Sequence, residues 1–188
     1  MKILPLVYSP DPLLKQVSKP VEKIDESLRQ FMKQMLETMY QERGVGLAGV
    51  QVGKLLRIVT IDVDYEIEED HFGHSCGGGC GEIRVSNCNP RYFINPEIIQ
   101  SSSGTSSFDE GCLSFPTARS IVERPEEVKV KYLNINGEEK TEKMTGLLAT
   151  CIQHEIDHLN GVTFVDHISK LKRDLILKKM IKMQKNSK

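Results

Sequence analysis

Residues 146–159, Gly-Leu-Leu-Ala-Thr-Cys-Ile-Gln-His-Glu-Ile-Asp-His-Leu, constrain the fold more than any other segment of the chain. Leu147, Leu148, Ile152, Ile156 and Leu159 cover much of the circumference of one predicted helix. A helix that is apolar nearly all round belongs at the centre of a fold, where other elements cover it. Cys151, His154, Glu155 and His158 sit on the same helix and share one face, because residues three, four and seven apart stack together. Buried imidazole and carboxylate groups are costly unless paired, and an ion would supply the pairing. His154 and His158, one turn apart with Glu155 beside the first, have the spacing of a hydrolytic metal site with a carboxylate as proton carrier. The plainer alternative is a helix edge carrying two solvated histidines.

The rest of the chain must build around that helix. With 188 residues, 39% hydrophobic and 27% charged, it can bury one sizeable core, and a single domain over 1–188 is expected. A net charge of −1 gives no overall field to attract nucleic acid. The basic residues Lys170, Lys172, Arg173, Lys178, Lys179, Lys182, Lys185 and Lys188 nevertheless crowd the C-terminus, against Asp174. No apolar run approaches the roughly 20 residues that span a bilayer, and the N-terminus lacks a signal-peptide core, so a cytoplasmic protein with no membrane contact is expected. Cys76, Cys80, Cys88, Cys112 and Cys151 form an odd set, which favours free thiols or metal ligands over a disulfide framework.

Ile24, Leu28, Phe31, Met32, Met35, Leu36 and Met39 recur at helical spacing behind Asp25, predicting a capped helix that stops at Gly44. Residues 55–63, 92–99 and 128–133 read as strands, and Asn136-Gly137 joins the last to 138–144 as a hairpin. Thr145 is the expected cap of the apolar helix and Asn160-Gly161 its stop. An amphipathic helix is predicted over 169–183, within a basic helix and tail covering 168–188. This order argues for an α+β fold: antiparallel β-sheets around a central helix, with one further helix near each terminus. Residues 65–91 read as an insertion loop, unusually long for a compact domain. His71, His74, Cys76 and Cys80 in it have the chemistry of an auxiliary metal module, but their spacing matches no strong finger pattern, and a solvated insertion is the expectation.

Two histidines do not complete a metal site. Asp166 and His167 lie downstream, in the direction from which a protease helix often takes its third ligand. Cys112, in Glu110-Gly111-Cys112-Leu113-Ser114, and Cys151, one turn before His154, are the other candidates. Spacing alone leaves the choice open. A third segment, Gly44-Val45-Gly46-Leu47-Ala48-Gly49-Val50-Gln51, is glycine-rich but lacks the Gly-Lys-Ser/Thr ending of a phosphate loop. Its small residues would let backbone approach a ligand, and Gln51 offers an amide that can donate to a developing oxyanion. Its plain alternative is a tight helix-to-strand turn.

Together, Gly44–Gln51, Glu110–Ser114 and Gln153–Leu159 resemble the three ordered motifs of the peptide deformylase family. Gly49, where the family usually has alanine, and Thr150, where an apolar residue is common, are departures. The resemblance implies an enzyme that removes the N-formyl group from the N-terminal methionine of newly synthesised proteins, releasing formate. It implies Cys112, His154 and His158 as ligands of one divalent ion per chain, Fe²⁺ before Zn²⁺, Ni²⁺ or Co²⁺. Glu155 would carry the proton, while the Gln51 amide and the Leu113 N–H would steady the oxyanion. Val45, Gly46, Glu110, Gly111, Leu147, Thr150 and Cys151 are the implied substrate-binding residues, with Arg119 beside the peptide backbone. The implied partners are N-formyl-methionyl nascent peptides and, through the basic C-terminal helix, the ribosome; a monomer is expected. A zinc endopeptidase using the same histidine pair is the competing enzyme class, weakened by the lack of a downstream ligand pattern.

Overall fold

Asp25 sets the start of the first helix, its carboxylate accepting from the Leu28 N–H at 2.9 Å. Helix α1 (Glu26–Gln41) follows, and Leu28, Met32, Met35, Leu36 and Met39 form its buried stripe as their spacing requires. Its end differs from the expectation by one residue. Arg43, not Gly44, takes the left-handed conformation at φ 59°. The Arg43 N–H donates to the Tyr40 carbonyl (2.9 Å) and the Gly44 N–H to the Met39 carbonyl (2.8 Å), a Schellman-type end with arginine where glycine is usual. The computed structural model describes residues 3–68 and 83–186.

The glycine-rich segment is neither a loop nor a simple turn: it forms strand β1 (Gly46–Ala48) and a 3₁₀ turn, Gly49–Val52. β2 (Ile58–Ile61) is shorter than the 55–63 run suggests. The Asp62 carboxylate accepts from the N–H groups of Asp64 (3.1 Å) and Tyr65 (3.2 Å), and this Asx-type turn bends the chain away. The expected 65–91 loop has structured ends, because β3 (Glu66–Ile67) pairs with β4 (Val85–Ser86) and β5 (Arg91–Ser101) already begins at Arg91. His71, His74, Cys76 and Cys80 lie outside the described residues, while Cys88 is an exposed free thiol. Next comes a hairpin absent from the sequence reading, β6 (Thr105–Gly111) and β7 (Arg119–Pro125). The predicted hairpin of β8 (Glu127–Leu133) and β9 (Glu139–Thr145) precedes helix α2 (Gly146–Leu159), and helix α3 (Lys170–Asn186) ends the described chain.

The main sheet has the order β1-β2-β5-β8-β9 and is antiparallel throughout; β6 and β7 form a separate two-stranded sheet. Helices cover both faces of the main sheet, so β2 is buried along its whole length. Ile58 packs with Leu47, Ile94 and the α1 methionines, whereas Val59 and Ile61 join Phe93, Val130, Ile152 and Ile156. This alternation follows from the two-residue period of a strand. The result is the α+β architecture predicted, with α2 at its centre, in contact with β1, β2, β5, β7, β8 and β9.

Two local expectations change. Thr145 is the N-cap of α2 by position, but its side chain makes no capping bond and Gly146 turns at φ 58°. α3 is less amphipathic than predicted: only Met180 is buried, while Leu171 and Leu175 are exposed. Met180 packs with Phe115, Val122, Phe164 and Val165 in a small satellite core. No described helix is long and apolar enough to cross a membrane.

Candidate active site

α2 presents His154, Glu155 and His158 on one buried face, and the chain leaving β6 brings Cys112 up to them. The Cys112 Sγ lies 3.2 Å from His158 Nε2, and the donor atoms of Cys112, His154 and His158 all fall within 4.8 Å of one another. The other candidate ligands point elsewhere. Asp166 is ion-paired with Lys15, His167 Nε2 meets Asp157 Oδ2 at 2.7 Å, and Cys151 Sγ lies 3.6 Å from the Val45 carbonyl oxygen.

The donor set fits a divalent ion. His154 Nδ1 is held by Glu110 Oε2 at 2.8 Å, which leaves Nε2 as the donor atom of that ring. Glu155 Oε2 and His158 Nδ1 are buried without a hydrogen-bond partner among the described residues. A buried carboxylate oxygen with no partner is costly, and Glu155 is among the residues that line the cavity above the cluster. Two imidazoles and one sulfur match the three-ligand sets of catalytic sites that keep a fourth position open.

The electrostatics divide the two carboxylates. Burial alone would raise the Glu110 carboxyl, but hydrogen bonds from His154 and Arg124 outweigh it and hold it at about 2. Arg124 grips Glu110 with Nε at 2.5 Å and Nη2 at 3.1 Å, and reaches Asp157 with Nη1 at 2.8 Å. Glu155 has no such cation in contact, and burial, opposed by His154 and reinforced by Glu110, raises it to about 7. One carboxylate is locked as an anion and the other is poised to exchange a proton near neutrality. Burial, then the neighbouring His154, keeps His158 well below its ordinary value, so it stays neutral.

A cavity of about 630 Å³ opens above this cluster and is lined by every substrate-binding residue expected from the sequence: Val45, Gly46, Glu110, Gly111, Arg119, Leu147, Thr150 and Cys151. Gln51 and Leu113 line it too. Three side chains there have protein partners of their own. The Glu110 carboxylate is taken up by Arg124 and His154, so it acts on a histidine rather than on a ligand in the cavity. Arg119 is tied to Asp109 through Nε–Oδ2 and Nη2–O contacts, both 2.7 Å. Gln51 Oε1 accepts from the Ala48 N–H at 2.8 Å, turning Nε2 toward Ser114 Oγ (3.2 Å) and Cys112 Sγ (3.4 Å). Gly46 is needed as glycine: a Cβ there would stand 2.5 Å from Glu155 Oε1 and 2.6 Å from Cys151 Sγ. The departure at Gly49 is explained as well, since a Cβ would meet Ile58 Cγ1 at 2.8 Å and the Lys54 carbonyl oxygen at 2.9 Å.

Sequence reasoning missed Tyr8, Phe108, Ser114, Arg124 and Asp157. Phe108 and Tyr8 line the cavity from distant segments, and nothing local marks them. Arg124 carried a weak signal, because it falls on the inward parity of the alternation with Ser120 and Val122.

Comparison with known proteins agrees with the three-motif resemblance. The family model described as polypeptide deformylase matches residues 3–174. A peptide deformylase of Brucella suis biovar 1 (strain 1330) is 48% identical over 97% of this chain and 94% of its own length. One from Mesorhizobium japonicum is 48% identical over 99% of this chain and 96% of its own. The crystal structure of peptide deformylase from Ehrlichia chaffeensis superposes with a TM-score of 0.83 at 38% identity, covering 99% of both chains. With the family matched along nearly its whole length and the fold shared, this chain belongs to the polypeptide deformylase family.

Proposed function

We propose that this deformylase hydrolyses the formamide of N-formyl-methionyl peptides on newly made chains, using one divalent ion held by Cys112, His154 and His158. Fe²⁺ is the proposed native ion, with Zn²⁺, Ni²⁺ or Co²⁺ able to take its place. A metal ion in such a site supplies Lewis acidity, activating water near neutral pH and polarising the formyl oxygen. Glu155 accepts the proton from that water at its unpartnered Oε2 and returns it to the departing amine. The Leu113 N–H and the Gln51 amide donate to the oxygen on which charge develops. Glu110 fixes the tautomer of His154, and Arg124 fixes Glu110.

The free strand edges support an extended substrate. Among the described residues β1 pairs only with β2 and β6 only with β7, and Val45–Gly46 and Phe108–Gly111 line the cavity, where an extended peptide could add to a strand edge. Val45, Leu147, Thr150, Cys151 and Phe108 would then surround the methionine side chain. The chain is proposed to act as a cytoplasmic monomer, with the lysines of α3 contacting ribosomal RNA. Truncation before Lys170 that left ribosome affinity and its salt dependence unchanged would remove that last element.

The observation that carries this reading is the orphaned Glu155 Oε2 beside a three-donor cluster at the base of the cavity. Anaerobically purified protein should release formate from N-formyl-Met-Ala-Ser, with elemental analysis giving one metal per chain. Glu155→Gln should keep the metal and lose at least about 10²-fold in kcat, the lower range for a general acid–base. Full activity in that variant would exclude the proton-carrier role. Cys112→Ala should lose the metal and Cys151→Ala should keep it; the reverse would move the ligand role to Cys151.

A further inference from the structure

Arg43 stands in a position where its side chain costs stability. It is the left-handed residue of the Schellman end of α1, at φ 59°, where glycine or asparagine is the inexpensive choice. A non-glycine residue held in that region invites a search for a use of its side chain. The segment after it is rigid: the Gly44 carbonyl accepts from Tyr65 Oη at 3.0 Å, and the Val45 carbonyl accepts from the Asp62 N–H at 3.0 Å. Arg43 is exposed and lines the catalytic cavity at its rim. The opposite rim cation, Arg119, is neutralised by Asp109. Arg43 makes no ion pair among the described residues. Its neighbour Glu42 lines the same cavity; the charge of Glu42 is felt by Tyr8 and that of Arg43 by Tyr65.

We infer that Arg43 reads the charge of the peptide after the formyl-methionine, favouring an acidic side chain at the second or third residue. The inference rests on the proposed deformylation of formyl-methionyl peptides and adds a selectivity to it. An extended peptide advances about 3.3 Å per residue, so a substrate with its first residue at the metal cluster leaves the cavity within two or three residues. There it passes Arg43, a rim arginine that no ion pair among the described residues matches. The contact is solvent-exposed and electrostatic, so it discriminates modestly and weakens as salt is added.

The test compares kcat/KM of the metal-loaded enzyme on N-formyl-Met-Xaa-Ser and N-formyl-Met-Ala-Xaa, with Xaa as Glu or Lys. At low ionic strength Glu should be preferred by about fivefold at one of the two positions, the ratio a modest exposed charge pair yields. The preference should shrink toward unity as salt rises. Arg43→Gly should abolish it, Arg43→Lys should keep it, and Arg43→Glu should reverse it. Arg43→Gly should also melt at higher temperature than the parent, because the left-handed strain is relieved. A parent ratio within about twofold at both positions, a preference for Lys, or a ratio untouched by Arg43→Gly and Arg43→Glu would overturn the inference. Absence of formate from all four peptides would overturn the deformylase reading instead.

Discussion

At the scale of single residues, the site depends on one missing methyl group. Gly46 brings the β1 backbone against Glu155 and Cys151 so closely that a Cβ would force the carboxylate aside. Catalytic groups displaced by about 1 Å can cost about 10²-fold in rate. Gly46→Ala is therefore expected to lower kcat by roughly that factor while metal content, measured on the same sample, stays at the parental level. An unchanged kcat would mean that Glu155 reaches its working position without the close approach of β1. The same crowding limits what sequence can reveal. The pattern His154-Glu155-x-x-His158 is local and was readable directly, whereas Phe108 and Tyr8 reach the cavity only through tertiary contact. The family resemblance implied Glu110 as a substrate-binding residue. Its side chain faces Arg124 and His154 because the bonds they offer outweigh burial.

At the scale of elements, the β6–β7 hairpin and α2 are held together by buried charge. Arg124 on β7 bonds Glu110 on β6 and Asp157 on α2, and Glu110 in turn bonds His154 on α2. The strand that delivers Cys112 is thereby fixed to the helix that delivers the two histidines. Glu110→Gln should destabilise the fold by about 3–5 kcal/mol, since breaking a buried pair leaves Arg124 only partly compensated. Denaturant unfolding measures this, and a loss below about 1 kcal/mol, the range of an exposed pair, would show that solvent reaches the network. This hairpin was invisible in the sequence for a physical reason. Thr105-Ser-Ser-Phe-Asp-Glu-Gly carries a single large apolar residue, because one face is exposed and the other packs partly through polar contacts. α2 and the β8–β9 hairpin were legible because apolar content and an Asn-Gly turn are local properties.

At the scale of the whole molecule, Asp166 links the N-terminal region to the start of α3. It pairs with Lys15 in the N-terminal region and with Arg173 at the start of α3 (3.8 Å). Burial opposes its ionisation, but the bonds from Lys15 and Thr163 win and lower its pKa below the ordinary 3.8. A lowered acid pKa stabilises the fold above the ordinary value, and that contribution disappears as pH falls through the depressed value. Lys15 is half exposed, so the contribution is about 0.5–1 kcal/mol. Asp166→Asn should thus unfold more easily than the parent at pH 7, and the gap should close in acid, once the pH has fallen through the depressed Asp166 value. An equal gap at both pH values, read from urea melts, would point to lost packing and not to lost charge. By itself the sequence determined that a central apolar helix must carry the chemistry, that the fold is α+β, and which three motifs mark the family. The first two follow from local periodicity and spacing, and the third from the resemblance of those motifs to the family. The tertiary structure brought Cys112, implied by the resemblance but left open by spacing, up to the histidines, and it alone placed Arg124 behind Glu110 and Arg43 at the cavity. Those outcomes depend on how hairpin, helix and chain termini dock, and docking is set by contacts between residues far apart in the chain.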